Sequence, residues 1–278
     1  MPGPKRVSGM STIVEKNYKR LAIQVSMSGF SYCIFDTFYN RIDLVKEVDF
    51  SALPKTSKVE DYYWKAFLYN RELTKIYDDV VVLHDNNFNS FVPLPLFDEN
   101  FLGSYLQYNT KVFETDSFAF DVIPNYDINN VYVPYANINN YLLDQFDSFD
   151  YKHVSSILVT KLLDVSKNVD EKQVFVHFGR QRLDIVVVKN QQLLFFNTFE
   201  YRTKEDFIYY LLFTAEQLGL NPERFSLQLL GDISRESPFF EMAYLYVRNV
   251  SIADLSVFQK ANSFSEAQNL KHFILFQS

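Results

Sequence analysis

The chain has 278 residues, is 47% hydrophobic and 22% charged, and carries a formal net charge of −7. This composition suffices for a sizeable core and argues against disorder, whereas the acidic balance and the lack of a Lys/Arg-rich run argue against binding to nucleic-acid phosphates. A single cysteine, Cys33, excludes an intrachain disulfide and a cysteine-rich metal site, which fits a reducing, cytoplasmic compartment. No signal peptide follows Lys5-Arg6, and no apolar run approaches the roughly 18–20 residues of a membrane span.

The first part of the chain shows three strands joined by short turns, then a helix and one further strand. The residues before this pattern are polar and predict a loose leader. The helix starts at a capping box, Ser57-Lys58-Val59-Glu60, and its apolar stripe continues to about Tyr77. The four strands are predicted at Leu21–Val25, Phe30–Phe38, Ile42–Val48 and Val80–Leu83.

The middle of the chain, residues 86–150, is rich in Asn and Asp and gives a less regular pattern. Pro93 and Pro95 interrupt an apolar run, as on an edge strand. The Asn and Asp residues lack the order of an EF-hand loop and are interpreted as loop chemistry. Four elements are predicted here: a short helix at Asp98–Leu106, strands at Phe118–Ile123 and Asn130–Pro134, and a helix at Asn137–Phe146.

The last part begins with a helix from Val154 to about Lys167 and then repeats the pattern of strands and helix. Its principal helix starts at a second box, Thr203-Lys204-Glu205-Asp206, and ends at Gly219, which can take the left-handed closing position. A short helix is predicted at Pro238–Tyr244. The strands are predicted at Val174–Val176, Leu183–Val188, Leu193–Phe196, Ser226–Leu230, Leu245–Ile252 and Phe273–Phe276.

Residues 21–83 and 174–230 therefore share one order of elements: three hairpin-linked strands, a capped helix and a further strand. The match is of element order, with little residue identity, and it indicates an internal duplication. It predicts an α/β fold with mixed sheets, in which two lobes surround a cleft and the hairpin turns point into it. The predicted division is a leader at 1–19, an N-terminal lobe at 20–150 and a C-terminal lobe at 151–278.

With this order of elements, the chain resembles the actin-like ATPase superfamily, whose duplicated fold is ribonuclease-H-like. More narrowly, it is similar to a bacterial family of uncharacterised proteins with this fold, and distantly to actin-like proteins of pilus and secretion assembly. The resemblance covers about residues 20–276 and is carried by residues 174–187, VFVHFGRQRLDIVV. They resemble the superfamily's second phosphate loop, an apolar run, Asp-x-Gly-Gly-Gly-Thr, Thr-Asp-Ile and a second apolar run.

An ATPase of this fold holds Mg²⁺ and a polyphosphate between two hairpin turns, through carboxylates, backbone N–H groups and hydroxyls. This chain departs from that pattern, because Ser26 corresponds to the acidic residue of the first turn and His177 to the aspartate of the second. Arg180 and Gln181 replace glycines. The resemblance implies six candidate cofactor-binding positions in the cleft turns and no catalytic or metal-binding residue. These positions are Ser26, Ser28, Gly29, Gly179, Arg180 and Gly231.

Several polar residues admit a functional and an ordinary interpretation. His177 is interpreted as a polar residue that fills the space of a lost metal rather than as a base. Arg180 is interpreted as a hairpin-tip charge, with anion binding as the alternative. Asp184 is assigned a hydrogen-bonding role beside its hairpin. Cys33 is expected to pack as a small apolar group, and His84 lacks metal-ligand spacing to any second ligand.

The sequence favours a non-catalytic actin-like module that binds an unidentified protein, with no nucleic-acid partner. The alternative is a nucleotide-binding switch, weak ATPase or kinase with a rearranged site, for which ATP and Mg²⁺ are the cofactors. The two differ in whether Asp36, Asp184 or Asp232 reaches the cleft. A nuclease would need carboxylates on the first strand, and Leu21–Val25 has none.

Overall fold

The structure is a computed structural model that describes residues 16–51, 58–108, 110–113 and 116–278. In the first half of the chain it contains eight strands and three α-helices among the described residues. In chain order they are β1 (Lys19–Ser26), β2 (Gly29–Asp36), β3 (Arg41–Asp49), α1 (Val59–Tyr69), β4 (Asp79–His84), β5 (Asn89–Pro93), α2 (Leu102–Leu106), β6 (Ala119–Ile123), β7 (Ile128–Tyr132), α3 (Ala136–Phe146) and β8 (Asp150–His153).

The second half begins with the buried helix α4. Its elements are α4 (Val154–Val165), β9 (Gln173–Phe178), β10 (Arg182–Lys189), β11 (Gln192–Glu200), α5 (Lys204–Gln217), β12 (Ser226–Gly231), α6 (Pro238–Tyr246), β13 (Asn249–Ile252), α7 (Glu266–Lys271) and α8 (Phe273–Phe276). No helix of the described residues has both the length and the apolar character needed to cross a membrane.

The two large sheets have the same topology. The first has the order β3-β2-β1-β4-β8, and the second has the order β11-β10-β9-β12-β13. In each, three antiparallel strands are joined to two further strands in parallel. The predicted duplicated α/β fold with mixed sheets is therefore confirmed. The division at residue 150 stays a prediction, and β8 spans that position in the first sheet.

The central strands are buried because helices cover both faces of the second sheet. Residues 183–188 of β10 are all buried, as expected for a strand enclosed on both sides. Their core is continuous with α4 and α5, while a second cluster lies between the first sheet and α1. A three-stranded sheet, β5-β7-β6, is inserted between β4 and β8.

The C-terminal segment corrects one prediction. Phe273–Phe276 forms the helix α8 rather than a strand, and all four side chains are buried. It packs against α4, β1 and β2, where the thiol of Cys33 donates to the carbonyl of Leu275 at 3.8 Å. Burial raises the pKa of Cys33 to about 12, so this residue is a protonated core group, as predicted.

Several element boundaries differ from the prediction, and one strand was missed. The helix α1 ends at Tyr69 and a 3₁₀ turn follows at Arg71–Thr74, because the chain turns there toward β4. The helix α6 continues to Tyr246, so β13 begins at Asn249 instead of Leu245. The strand β8 was not predicted, since three of its four side chains are exposed and polar or aromatic.

Some predictions involve residues outside the description. Ser57, the first residue of the predicted capping box, is one of them, and α1 is preceded by Lys58, whose N–H is 3.2 Å from a carboxylate oxygen of Asp61. Residues 1–15 of the predicted leader are also outside the residues that the structure describes, whereas Lys19 already belongs to β1.

Candidate functional site

A cavity of about 370 Å³ lies between the turn that joins β1 to β2 and the turn that joins β9 to β10. Both hairpins therefore point into one cleft, as the repeat predicted. The cavity is lined by five of the six candidate positions, namely Ser26, Ser28, Gly29, Gly179 and Arg180. Whether they bind a cofactor stays a prediction.

The first turn is held by its own hydroxyls. Ser26 donates from Oγ to the carbonyl of Gly29 at 2.7 Å, and the hydroxyls of Ser26 and Ser28 lie 3.2 Å apart. Gly29 has φ +144°, and a Cβ there would lie 2.2 Å from the carbonyl oxygen of Val48. The glycine is therefore required by the close approach of β3, independently of any ligand.

The second turn sends Arg180 across the cleft to the first lobe. Its guanidinium lies 3.4 Å from the carbonyl oxygen of Ser28 and 3.5 Å from carboxylate oxygens of both Glu47 and Asp49. In the same turn, the N–H of Gly179 donates to the carbonyl of Arg182 at 2.9 Å. The turn therefore places a cation, already surrounded by acceptors, where the family pattern has glycines.

Gly231 does not line the cavity. It has φ +91°, and a Cβ at this position would lie 2.3 Å from the carbonyl oxygen of Phe178. Its neighbour Asp232 lines the cavity instead, and its carboxylate lies 3.7 Å from Nζ of Lys271.

The half-buried His177 and the buried Asp184 form a pair beside the second turn. Nδ1 of His177 lies 3.0 Å from one carboxylate oxygen of Asp184, and the hydroxyl of Thr198 donates to the other at 2.7 Å. Burial acts to raise the pKa of Asp184, but the hydrogen bonds and the nearby charge of Arg182 hold that pKa below its ordinary value. Both oxygens are engaged, so the carboxylate acts within the hairpin.

Of the three aspartates that separate the two functional interpretations, one reaches the cavity. Asp232 lines it and its side chain is 60% exposed. Asp36 lies at the opposite end of β2, where it accepts from Lys19 at 2.7 Å and from two backbone N–H groups. Among the residues that the structure describes, no group of three or more His, Cys, Asp or Glu side chains is arranged to hold a metal ion.

Several charged or titratable residues of the cleft were missed by sequence reasoning, among them Glu47, Asp85, Lys271 and His272. Lys271 contacts Glu47 at 2.8 Å, and Nε2 of His272 lies 3.1 Å from the same carboxylate. Asp85 pairs with Arg182 of the other lobe. A signal was available for Asp85 alone, since it directly follows the parallel strand β4, where ligands and functional groups of such sheets gather.

His84 and His153 are register partners on β4 and β8, both without exposed surface. Burial lowers the pKa of His84 to about 4 and that of His153 to about 3. Nδ1 of His153 accepts from the N–H of Ser155 at 3.2 Å and so caps α4. The segment that begins at His153 is therefore a buried helix start.

The repeated topology and the shared cleft define a protein of actin-like ATPase fold. A solved Bacteroides thetaiotaomicron structure, described as a protein with actin-like ATPase fold and unknown function, is similar with a TM-score of 0.76 and 23% identity, over 88% of this chain and 94% of that one. The chain belongs to the family described as "Protein of unknown function (DUF3822)", whose model matches residues 9–250. Among curated proteins, no significant match was found.

Two other solved structures are more distant. The PilM–PilN type IV pilus biogenesis complex has a TM-score of 0.53 and 11% identity, over 93% of this chain and 95% of that chain. The cytoplasmic domain of EpsL, an inner membrane component of the type II secretion system of Vibrio cholerae, has a TM-score of 0.47 and 14% identity, over 94% and 95%. The predicted resemblance is confirmed at the level of the fold.

Proposed function

We propose that this protein is a non-catalytic actin-like module that binds another protein, and that ion pairs across its cleft replace the bridge that Mg²⁺ and a nucleotide form in ATPases. The observation that carries the proposal is the position of Arg180. A residue of the second hairpin turn is paired with Glu47 and Asp49 of the first lobe.

A polyphosphate that bridged the two turns would have to displace Arg180 from these partners. It would then lie beside two carboxylates, and like charges at short distance repel strongly. Asp184 is not free to hold Mg²⁺ there, because His177 and Thr198 engage its carboxylate. The cleft therefore favours its internal ion pairs over a magnesium–phosphate complex.

Protein binding is supported by analogy of fold alone. A protein of this fold is solved as the PilM–PilN complex, so the architecture is compatible with a dedicated protein partner.

The net charge of −7 disfavours binding to nucleic acid. We place the protein in the cytoplasm because its one cysteine, Cys33, is a buried free thiol.

One observation favours the alternative, a nucleotide-binding switch or weak ATPase with a rearranged site. Asp232 lies in the cavity with an exposed carboxylate, and Lys271 stands beside it. A carboxylate and an ammonium at the cleft could hold a hydrated Mg²⁺ and a phosphate oxygen.

Calorimetric titration with ATP and with ADP, each with and without Mg²⁺, tests the proposal. We expect no heat of binding at millimolar nucleotide. Micromolar binding that depends on Mg²⁺ and is lost in Asp232→Ala would contradict the proposal and establish the alternative. Asp36→Ala is the matched control, since that carboxylate lies at the far end of β2.

A further inference from the structure

A second cavity, of about 270 Å³, lies between β11 and β5 and is here named the edge groove. One wall is formed by six consecutive residues of β11, Leu193–Thr198, and the other chiefly by Asn89–Phe91 of β5. Because the side chains of a strand alternate between its faces, a cavity on one face would be lined by every second residue. Lining by consecutive residues therefore places the groove along the edge of β11.

Both strands that line the edge groove are sheet edges. Within the described parts of the chain, β11 pairs only with β10, and β5 pairs only with β7. Among the described residues, no backbone hydrogen bond joins either strand to another element on its outer side. The outer N–H and C=O groups of an edge strand are a template for pairing with a further strand.

The internal duplication provides a comparison for β11, because β3 occupies the same place in the first sheet. Five of the nine residues of β3 are charged, and Ile42 at its start donates to the carbonyl of Ala261 at 2.9 Å. β11 carries no charged residue from Gln192 to Phe199. Charged side chains on an edge strand discourage pairing with other chains, so β11 lacks the protection that β3 has.

We propose that the edge groove binds an extended, uncharged peptide segment of a protein partner, which adds to β11 as a further strand. This inference rests on the proposed protein-binding function and specifies its site. Main-chain hydrogen bonds would supply affinity. Phe91 of one wall and Phe196 of the other, whose rings lie 4.8 Å apart, would provide apolar contacts for alternate side chains of the peptide. Because β5 closes the far side, the groove fits one strand better than the edge of a second sheet.

The experiment selects binders from a phage-displayed library of random twelve-residue peptides against the whole chain. Fluorescence anisotropy then gives Kd for the synthetic peptides with three proteins: the wild type, Asn197→Lys and Val122→Lys. Asn197 is exposed and lines the groove. Val122 is 63% exposed on β6, the opposite edge of the small sheet, and serves as the control.

We expect Asn197→Lys to weaken peptide binding by at least about tenfold and Val122→Lys to leave it unchanged. N-methylation of alternate peptide residues should abolish binding, because methylation removes the N–H donors that strand pairing needs. Binding that resists N-methylation, or failure to select any peptide, would overturn the inference. Binding unaffected by Asn197→Lys would also overturn it, yet leave the protein-binding function intact. A wild-type dimer that Asn197→Lys dissociates would assign the groove to a second copy instead.

Discussion

Gly231 has a left-handed backbone conformation directly against the backbone of Phe178, with φ +91° and only 2.3 Å between an added Cβ and the carbonyl oxygen. We expect Gly231→Ala to lower the free energy of unfolding by about 3 kcal/mol, because strain and a backbone clash add together. Gly219→Ala is the control, since φ there is +61° and an added Cβ meets no atom within 4 Å. We expect Gly219→Ala to lower the free energy of unfolding by about 1 kcal/mol. Urea unfolding of both variants measures the difference, and equal losses would contradict the packing role of Gly231.

Two buried histidines make stability depend on pH. Burial lowers the pKa of His84 to about 4 and that of His153 to about 3, whereas unfolded histidine takes up its proton near pH 6.5. The unfolded chain therefore binds more protons below about pH 6.5, and stability falls as the pH drops toward these values. Each histidine contributes a slope of up to about 1.4 kcal/mol per pH unit. Burial raises the pKa of Asp121, which opposes part of this loss.

Urea unfolding at several pH values between 4 and 7 measures this slope, within the window set by the lowered pKa of His84. His84→Asn removes one titrating group and is expected to reduce the slope by up to about 1.4 kcal/mol per pH unit. His177→Asn, which alters the pair with Asp184 near the cleft, is the comparison variant. A slope that His84→Asn leaves unchanged would show that other groups cause the acid sensitivity.

At the scale of single elements, α5 shows how local chemistry starts a helix. The hydroxyl of Thr203 accepts from the N–H of Asp206 at 3.2 Å, while the Asp206 carboxylate accepts from the N–H of Thr203 at 2.9 Å. We expect Thr203→Ala to lower the free energy of unfolding by about 1 kcal/mol. Lys204→Ala, at an exposed position one residue further on, should change it by less than about 0.5 kcal/mol. Thermal unfolding compares them, and equal effects would contradict the cap.

The same helix shows what could be predicted from the sequence. Its cap and its closing Gly219 agree with the structure, so α5 and the duplicated order were predicted correctly. Phe273–Phe276 was predicted as a strand, because four consecutive apolar residues fit a buried strand and a buried helix equally. In the cleft, the hairpin turns could be predicted, but the partners of Arg180 could not. Arg180 and Ser28 are 152 residues apart, and no local pattern connects them.

At the scale of the whole molecule, the lobes are joined by charges that meet at Glu47. This carboxylate contacts Arg180, Lys271 and His272. We expect Glu47→Gln to lower the free energy of unfolding by about 1–2 kcal/mol and to increase the radius of gyration measured by small-angle X-ray scattering, because three partners lose one acceptor charge. Glu223→Gln is the control, since Glu223 pairs with Arg248 at an exposed surface. An unchanged radius in Glu47→Gln would show that packing alone sets the arrangement of the lobes.

The position of α8 also determines when the protein can fold during its synthesis. Cys33 on β2 contacts Leu275, 242 residues later, so β2 is synthesised well before the helix that packs against it. At synthesis rates of about 5–20 residues per second, the interval is roughly ten to fifty seconds. Throughout it, the apolar face of β1 and β2 that α8 covers is open to the cell. We therefore expect this face to be covered only after residues 273–276 have left the ribosome.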